Sequence, residues 1–528
     1  NAAAGYDVYQ LFLADIEPDS TSEEHPGVAT HVSWASDTVK NTVLAFLDDN
    51  GYDEWLAGHG HTDSASHDLP QNAAEFIAEC IGASPNDEQA ATAPPTKAAE
   101  SFALELAKAL SNASGVPMMH ADADAVFSGS EGYYLFVTQS STIDVGEAGT
   151  APIWVPLGGA TTTLAEKTAI PSLTKEVQED SSGQFGKVAD GNKDQELAFR
   201  LEAKMPQNIG AFDTYEMRFE DTLPSGMDLE AGNTSSVVVK VDGIDITADL
   251  QDAQGSISFA NHELIVHIND VKSVHAGLSV DKDTAVTVEY RAHINASSAI
   301  GAPGETNTAK LRYTNDPVSS GLGTTVPVST TTYTYQLKVN KVDKQTGENL
   351  ARAGFKVQVS PESTDAASRG KWIAQDGSLV EESQAYEFTT DSEGVCVIPR
   401  IDEGVYIIKE TTAPSGYETQ DADIVVTLTR TFEGSALQTL DATCSGGEAA
   451  DSATTDVATH IVSEPAQTGT VELITSDDKT VSMPITGMDG VTAALIYGSC
   501  TAVLGLVGWR ATRKSRDDGL DSHLLSSE

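Results

Sequence analysis

The chain has 528 residues, more than one hydrophobic core accommodates, and such a length predicts about three domains. Its 79 acidic and 31 basic side chains leave a formal charge of −48 at pH 7. That balance excludes nucleic acid and anionic membrane surfaces as partners and suits a solvated extracellular protein. With four cysteines in all, the chain is no disulfide-dense scaffold.

The first stretch, to about residue 165, mixes helical and strand patterns. Val39, Val43, Phe46 and Leu47 fall on one helical face, as do Phe102, Leu106 and Leu110, while Tyr133 to Thr138 and Ile153 to Val155 read as strands. Cys80, set among Phe76, Ile77 and Ile81, reads as a buried thiol. His59, His61 and His67 stand close to Asp63 and Asp68, but their spacing fits no catalytic zinc motif. The stretch reads as a Gly- and Ser-rich surface loop, and no metal or cofactor is expected.

From Pro171 the period changes to two, with Phe199 and Leu201, Tyr215 and Met217, and Val286 and Val288 in runs bounded by Gly, Asn or Asp turns. This is the pattern of a β-sandwich. The Ser-, Thr-, Gly- and Pro-rich stretch from Pro317 to Thr332 reads as a linker, and a second all-β unit runs from near Tyr333 to near Thr475. The expected architecture is mostly β: tandem immunoglobulin-like β-sandwiches in an elongated chain, preceded by an α+β N-terminal domain and followed by a signal with one transmembrane helix. The expected segments are 1–165, 166–330, 331–480 and 481–528.

That last segment reads Met483-Pro484-Ile485-Thr486-Gly487, then an apolar run from Val491 to Trp509, then a tail, 510–528, that opens with Arg510, Arg513, Lys514 and Arg516. The run is about the minimum length for a spanning helix, and basic residues beyond it hold that end in the cytoplasm. The order resembles an LPXTG-type sorting signal of Gram-positive bacteria, with Met in place of the leading Leu. The resemblance implies a sortase whose thiolate attacks the Thr486 carbonyl, releases everything from Gly487 onward and hands the acyl group to an amine. The start at Asn1, with no Met and no apolar leader, reads as a mature form whose signal peptide has been removed.

Leu337-Lys-Val-Asn-Lys-Val-Asp343, Thr346-Gly-Glu348, Ala353-Gly-Phe355 and the dozen residues from Tyr406 to Tyr417 together resemble a collagen-adhesin B-type domain with a pilin E-box. Lys175-Glu-Val177, Phe219 to Leu223 and Asn307-Thr-Ala309 resemble the isopeptide-forming second domain of sortase-assembled pilus backbone subunits, and Tyr6 to Leu11 resembles the first strand of their N-terminal domain. The resemblance to that family of pilins covers nearly the whole chain.

An internal amide between a Lys amine and an Asn or Asp carboxyl group requires a neutral amine, which burial promotes by disfavouring the ammonium. A neighbouring carboxyl group polarises the acceptor and shuttles protons. In the middle unit the resemblance implies Lys175 as nucleophile and Asp221 as acid, with Asn307 as acceptor and Asn315 as the competing acceptor. Leu173 and Val177 put Lys175 on an apolar face. In the third unit Lys341 and Glu410 take the first two roles. No Asn follows Asn349, so the acceptor is Asp477 or Asp478, and water leaves in place of ammonia.

Polymerisation needs a further lysine on the body of the next subunit. The Tyr-Pro-Lys motif usual in such pilins is absent, and Lys167, in Ala165-Glu-Lys167 at the boundary between the first two segments, is the candidate. Cys396 and Cys444, an extracellular pair within one unit, are expected to form a disulfide that ties down a Ser-, Gly- and Ala-rich insertion between about Arg430 and Gly469. There is no nucleophile elbow, phosphate-binding loop or paired-His helix, so the chain reads as a sortase substrate and not as an enzyme. The expected function is that of the major structural subunit of a covalent, cell-wall-anchored fimbrium. Its partners are sortase, identical subunits and, through the terminal subunit, peptidoglycan. The alternative is a monomeric wall-anchored adhesin that binds a host surface ligand.

Overall fold

The computed structural model describes residues 5–17, 28–81, 99–122, 125–144, 146–158, 169–319, 321–447, 457–462 and 468–480. Lys167, the pentapeptide Met483 to Gly487 and the apolar run lie outside the described residues.

In the N-terminal part the strands Val28–Trp34, Tyr6–Glu17, Gly132–Thr138 and Ile153–Leu157 pair in that order, and Met119–Ala121 also pairs with Tyr6–Glu17. Strand alternation gives this sheet two apolar faces. Leu11, Leu135 and Val137 pack against the helices Asp37–Asp48, Tyr52–Gly58, Pro70–Ile81 and Ala99–Asn112 through Val43, Trp55, Phe76 and Phe102. Tyr6, Val8, Tyr134, Phe136 and Val155 build a second, smaller core. Ser36 caps the first helix by accepting from the Val39 N–H at 3.1 Å; of the predicted face, Val39, Val43 and Leu47 are buried and Phe46 is partly buried. The stretch expected to be a loop includes a short helix, Ser64–His67, whose start is capped by Asp63.

The middle part is a sandwich of two sheets. One runs Gly255–Ala260, Glu263–Ile268, Met217–Thr222, Glu305–Thr314, Val328–Tyr333 and Val188–Asp190; the other includes Val238–Val241, Ala285–Ile294, Glu196–Lys204 and Ser172–Gln178. The period-two residues point inward, as predicted: Leu197, Phe199, Leu201 and Ala203 from one strand, Val286, Val288, Tyr290 and Ala292 from its neighbour. The stretch from Pro317 to Thr332 is not a linker. Within it lie Leu322–Thr324 and most of Val328–Tyr333, the latter antiparallel to Glu305–Thr314 and parallel to Val188–Asp190. Its threonines are β-branched strand formers whose polar side chains imitate linker composition.

The third part is also a sandwich. Tyr335–Asp343 lies between Val395–Ile401, antiparallel, and Thr470–Asp477, parallel. The facing sheet includes Gly354–Val359, Gly404–Thr412, Ile424–Glu433 and Ala436–Gly446. The last two form a long hairpin, so the first part of the expected insertion is strand.

The expected disulfide is overturned, since Cys396 and Cys444 are both free thiols. Cys396 sits on Val395–Ile401 in one sheet, whereas Cys444 sits on the hairpin of the other. Both thiols contribute to the core of this sandwich, Cys396 fully and Cys444 at its margin.

Where the second and third sandwiches meet, Arg430 forks onto Asp190 with bonds of 3.1 and 2.8 Å and also reaches Glu179 at 3.2 Å and Glu403 at 3.7 Å. Gln195 donates to Asp180 of its own sandwich and, across the same contact, to Asp365. Beside them Gly301 and Gly469 pass so closely that a Cβ on either would fall 2.3 Å from the other's backbone. Burial, then Glu179, pushes Asp190 up to about 7 despite Arg430, and burial with Asp190 and Asp180 nearby raises Asp402 well above its ordinary range. The docked carboxyls therefore hold protons more tightly than they would in the unfolded chain. Stability from this contact is greatest at acid pH and declines as pH rises through about 7. The thermal midpoint should accordingly fall between pH 5 and pH 8, and Asp402→Asn should flatten the profile; an unchanged slope in that variant would remove the carboxyl cluster as its cause.

Candidate functional site

Alternation on Ser172–Gln178 turns Lys175 and Val177 into the core of the middle sandwich, where both are fully buried. Asp221 comes from Met217–Thr222 in the opposite sheet. The neighbouring strand Glu305–Thr314 pairs Ala309 with Asp221, which sets Asn307, two residues away on the same face, beside it. Lys175 Nζ lies 2.5 Å from Asp221 Oδ2 and donates to the Tyr290 hydroxyl at 2.9 Å. That hydroxyl donates to Asp221 Oδ2 at 2.7 Å and accepts from Asn307 Nδ2 at 2.7 Å. The Tyr290 ring stacks on Phe199 at 5.2 Å, and the ammonium sits over both rings. Asp221 Oδ1 and Asn307 Oδ1 accept no hydrogen bond although both are buried.

Burial lowers the proton affinity of Lys175 below the usual lysine range, against the opposing pull of Asp221. Burial, reinforced by Asp221, raises Tyr290 well above the usual tyrosine range, so the phenol stays neutral. The centre thus juxtaposes an amine pressed to lose its proton, a carboxylate in contact to receive it, and a carboxamide with an unpaired carbonyl oxygen.

The third sandwich repeats the motif with different connectivity. Lys341 on the first strand lies parallel to the last strand, opposite Thr475 and two residues short of the partner of Asp477. Its Nζ contacts Asp477 Oδ1 and lies 3.2 Å from Glu410 Oε1, with all three side chains at most 1% exposed. Glu410 comes from Gly404–Thr412 in the facing sheet, paired with Phe355, whose ring lies 5.7 Å from the amine. Burial pushes Glu410 up to about 7 against the attraction of Lys341, and burial raises Asp477 as well. Gln420 fixes the arrangement: its N–H donates to Glu410 at 2.9 Å and its amide nitrogen to Thr475 at 2.7 Å and to the Ser476 carbonyl at 2.8 Å.

Of the expected site residues, the fold brings together Lys175, Asp221 and Asn307, and separately Lys341, Glu410 and Asp477. Asn315 is not part of the first centre. It lies eight residues beyond Asn307, about 26 Å along an extended strand, where its carbonyl accepts from Gly149 and its N–H donates to Gly321. Asp478 follows the last residue of its strand, and the place beside Lys341 is held by Asp477. Tyr290 and Gln420 belong to the centres without having been anticipated. Tyr290 shares the inward face of Val286 and Val288, a signal that marks it as buried but not as a neighbour of Lys175.

Residues 335–439 match the family model described as SpaA, Prealbumin-like fold domain. Over 273 residues the chain is 24% identical to the trypsin-resistant surface T6 protein of Streptococcus pyogenes serotype M6, an overlap of 48% of this chain and 45% of that protein. The chain thus matches about half the length of this curated relative. Among solved structures, the T6 backbone pilin of Streptococcus pyogenes serotype M6 aligns with a TM-score of 0.49 at 15% identity, covering 91% of this chain and 96% of that one. The major pilin SpaA of Corynebacterium diphtheriae aligns with a TM-score of 0.42 at 14% identity, covering 69% and 85%. The family-model match falls within the third unit, which also carries the motifs that resemble a B-type domain.

In protein whose Lys175 is still a free amine, Asp221→Ala would leave Lys175 buried without its carboxylate, a loss of about 3–5 kcal/mol for a broken buried pair. Urea unfolding should register that drop, and unchanged stability would show that the pair is not what holds Lys175 inside.

Proposed function

We propose that the chain is a structural subunit of a covalent surface pilus whose two sandwiches are each closed by an internal amide. The observation that supports it most is the burial of Lys175 and Lys341, each against one carboxyl group from the facing sheet and one acceptor: Asp221 with Asn307, and Glu410 with Asp477. A buried ammonium needs a partner, but a salt bridge alone is satisfied by one carboxylate. A second carbonyl group at hand suits condensation.

In the middle centre Lys175 gives a proton to Asp221, and the free amine attacks Asn307 Cγ. The acid donates to Oδ1, ammonia leaves, and an amide joins the first strand of the sandwich to Glu305–Thr314. In the third, the amine of Lys341 attacks the carboxyl carbon of Asp477, Glu410 relays the protons, and water leaves. The raised proton affinities of Glu410 and Asp477 favour the uncharged acids that this reaction needs. Residues 1–165, 166–330 and 331–480 act as the body, and 481–528 as the sorting signal. Sortase cleaves between Thr486 and Gly487 and joins Thr486 to Lys167 of the next subunit, with the terminal subunit passed to peptidoglycan at the cell wall.

The intact mass of residues 1–482, taken under reducing conditions, should fall short of the sequence mass by one ammonia and one water. A mass equal to the plain sequence would remove the amides and favour the monomeric wall-anchored adhesin. In cells, Thr486→Ala and Lys167→Ala should each abolish the SDS-resistant ladder; a ladder that survives Lys167→Ala would move the acceptor to another lysine. Closure of the third amide should slow as pH rises through about 7, where Glu410 loses its proton.

A further inference from the structure

Closing an amide onto Asn307 requires two proton movements at nitrogen. A carboxamide nitrogen leaves as ammonia only after it has gained a proton, and the attacking amine must lose one. Asp221 is already engaged as base toward Lys175 and as acid toward Asn307 Oδ1.

The Tyr290 hydroxyl touches every participant: Lys175 Nζ at 2.9 Å, Asp221 Oδ2 at 2.7 Å and Asn307 Nδ2 at 2.7 Å. We propose that Tyr290 is a catalytic residue of this closure, its hydroxyl passing a proton from the Lys175 nitrogen to the departing Asn307 nitrogen. The proposal rests on the amide reading of the middle centre.

The protons balance without an outside reagent. The Lys175 ammonium gives one proton to Asp221, and the neutral amine adds to Asn307 Cγ while the Asp221 acid protonates Oδ1. The adduct then carries a hydroxyl, a cationic Lys175 nitrogen and an amine derived from Nδ2. Before attack Nδ2 is conjugated with the carbonyl and only donates, which is how Tyr290 meets it in the structure. After attack the conjugation is gone and Nδ2 becomes basic. The Tyr290 O–H swings from Asp221 to Nδ2, gives up its proton there, and regains one from the Lys175 nitrogen. Collapse breaks the Cγ–Nδ2 bond, releases ammonia and returns the Oδ1 proton to Asp221.

Burial suits the phenol to this work, because its high proton affinity keeps it neutral before and after the transfer. The stack on Phe199 holds the ring while the O–H turns. In the third centre, where the acceptor is Asp477 and water leaves, the ring beside the amine is Phe355, which has no hydroxyl.

The test follows closure in the full chain. Protein made by cell-free synthesis is quenched at intervals and digested, and the peptide joining Lys175 to Asn307 is quantified. Tyr290→Phe keeps the ring and removes only the oxygen, and it should slow closure by roughly a hundredfold, as expected for loss of a general acid–base group. In an Asn307→Asp background the departing oxygen needs a proton as well, so Tyr290→Phe should slow closure there too.

Closure at the wild-type rate in Tyr290→Phe would overturn the relay and leave the amide standing. Absence of the joined peptide from wild-type protein would overturn the amide itself and the relay with it. Should Tyr290→Phe fail to fold, the wild-type rate in D2O decides: the relay requires slower closure, and an unchanged rate would overturn it.

Discussion

A lysine ammonium taken wholly out of water loses hydration worth several kcal/mol, and the loss must be offset by charge and hydrogen bonds supplied at the same spot. Lys175 and Lys341 are both fully buried, so each dictates what surrounds it. Around Lys175 stand Asp221, the Tyr290 hydroxyl and two stacked rings; around Lys341 stand Glu410 and Asp477, with Gln420 holding Glu410 in place. In each centre the lysine and its facing carboxyl group come from opposite sheets, so satisfying the amine also ties the two layers of the sandwich together. The penalty that would make these lysines a liability in a soluble enzyme is, on the proposed reading, the source of their nucleophilicity.

The strand order gives the same centres a mechanical meaning. In the third sandwich the chain enters along Tyr335–Asp343 and leaves along Thr470–Asp477, and these two strands lie side by side and parallel. Tension between the entry and the exit therefore shears one ladder of hydrogen bonds. An amide between Lys341 and Asp477 would carry that tension from the first strand directly to the last, leaving residues 342–476 outside the loaded path. Loops and hairpins there, including the long hairpin Ile424–Glu433 with Ala436–Gly446, are then free to vary without weakening that path. The contact around Arg430 and Asp190 joins the second sandwich to the third by non-covalent means alone, and it is one place where pH bears on the fold.

Much of this was legible in the residues, though unevenly. The helices around Val43 and Phe102, the inward faces of Phe199, Leu201, Val286 and Val288, and the burial of Lys175 all follow from local periodicity, which a single strand or helix carries by itself. Asn307 and Asn315 sit on or just beyond one strand and look alike from their surroundings; only the pairing of Ala309 with Asp221 selects the first. Asp477 and Asp478 are adjacent, and only the parallel register with Lys341 tells them apart. The threonine-rich run before Tyr333 imitates a linker until its two partner strands are in place. The supposed disulfide was argued from compartment, which says nothing of whether two particular thiols are bonded, and both are free.

By itself, then, the sequence determined the period of each element, the faces that go inward and the two lysines whose burial needs an answer, because alternation and charge are local properties of the chain. The tertiary structure alone decided which acceptor meets each amine and that a tyrosine hydroxyl stands among Lys175, Asp221 and Asn307. Those outcomes depend on register and on which sheet a strand joins, and both are set by contacts between residues far apart in sequence, Lys341 and Asp477 among them, that no local stretch of residues records.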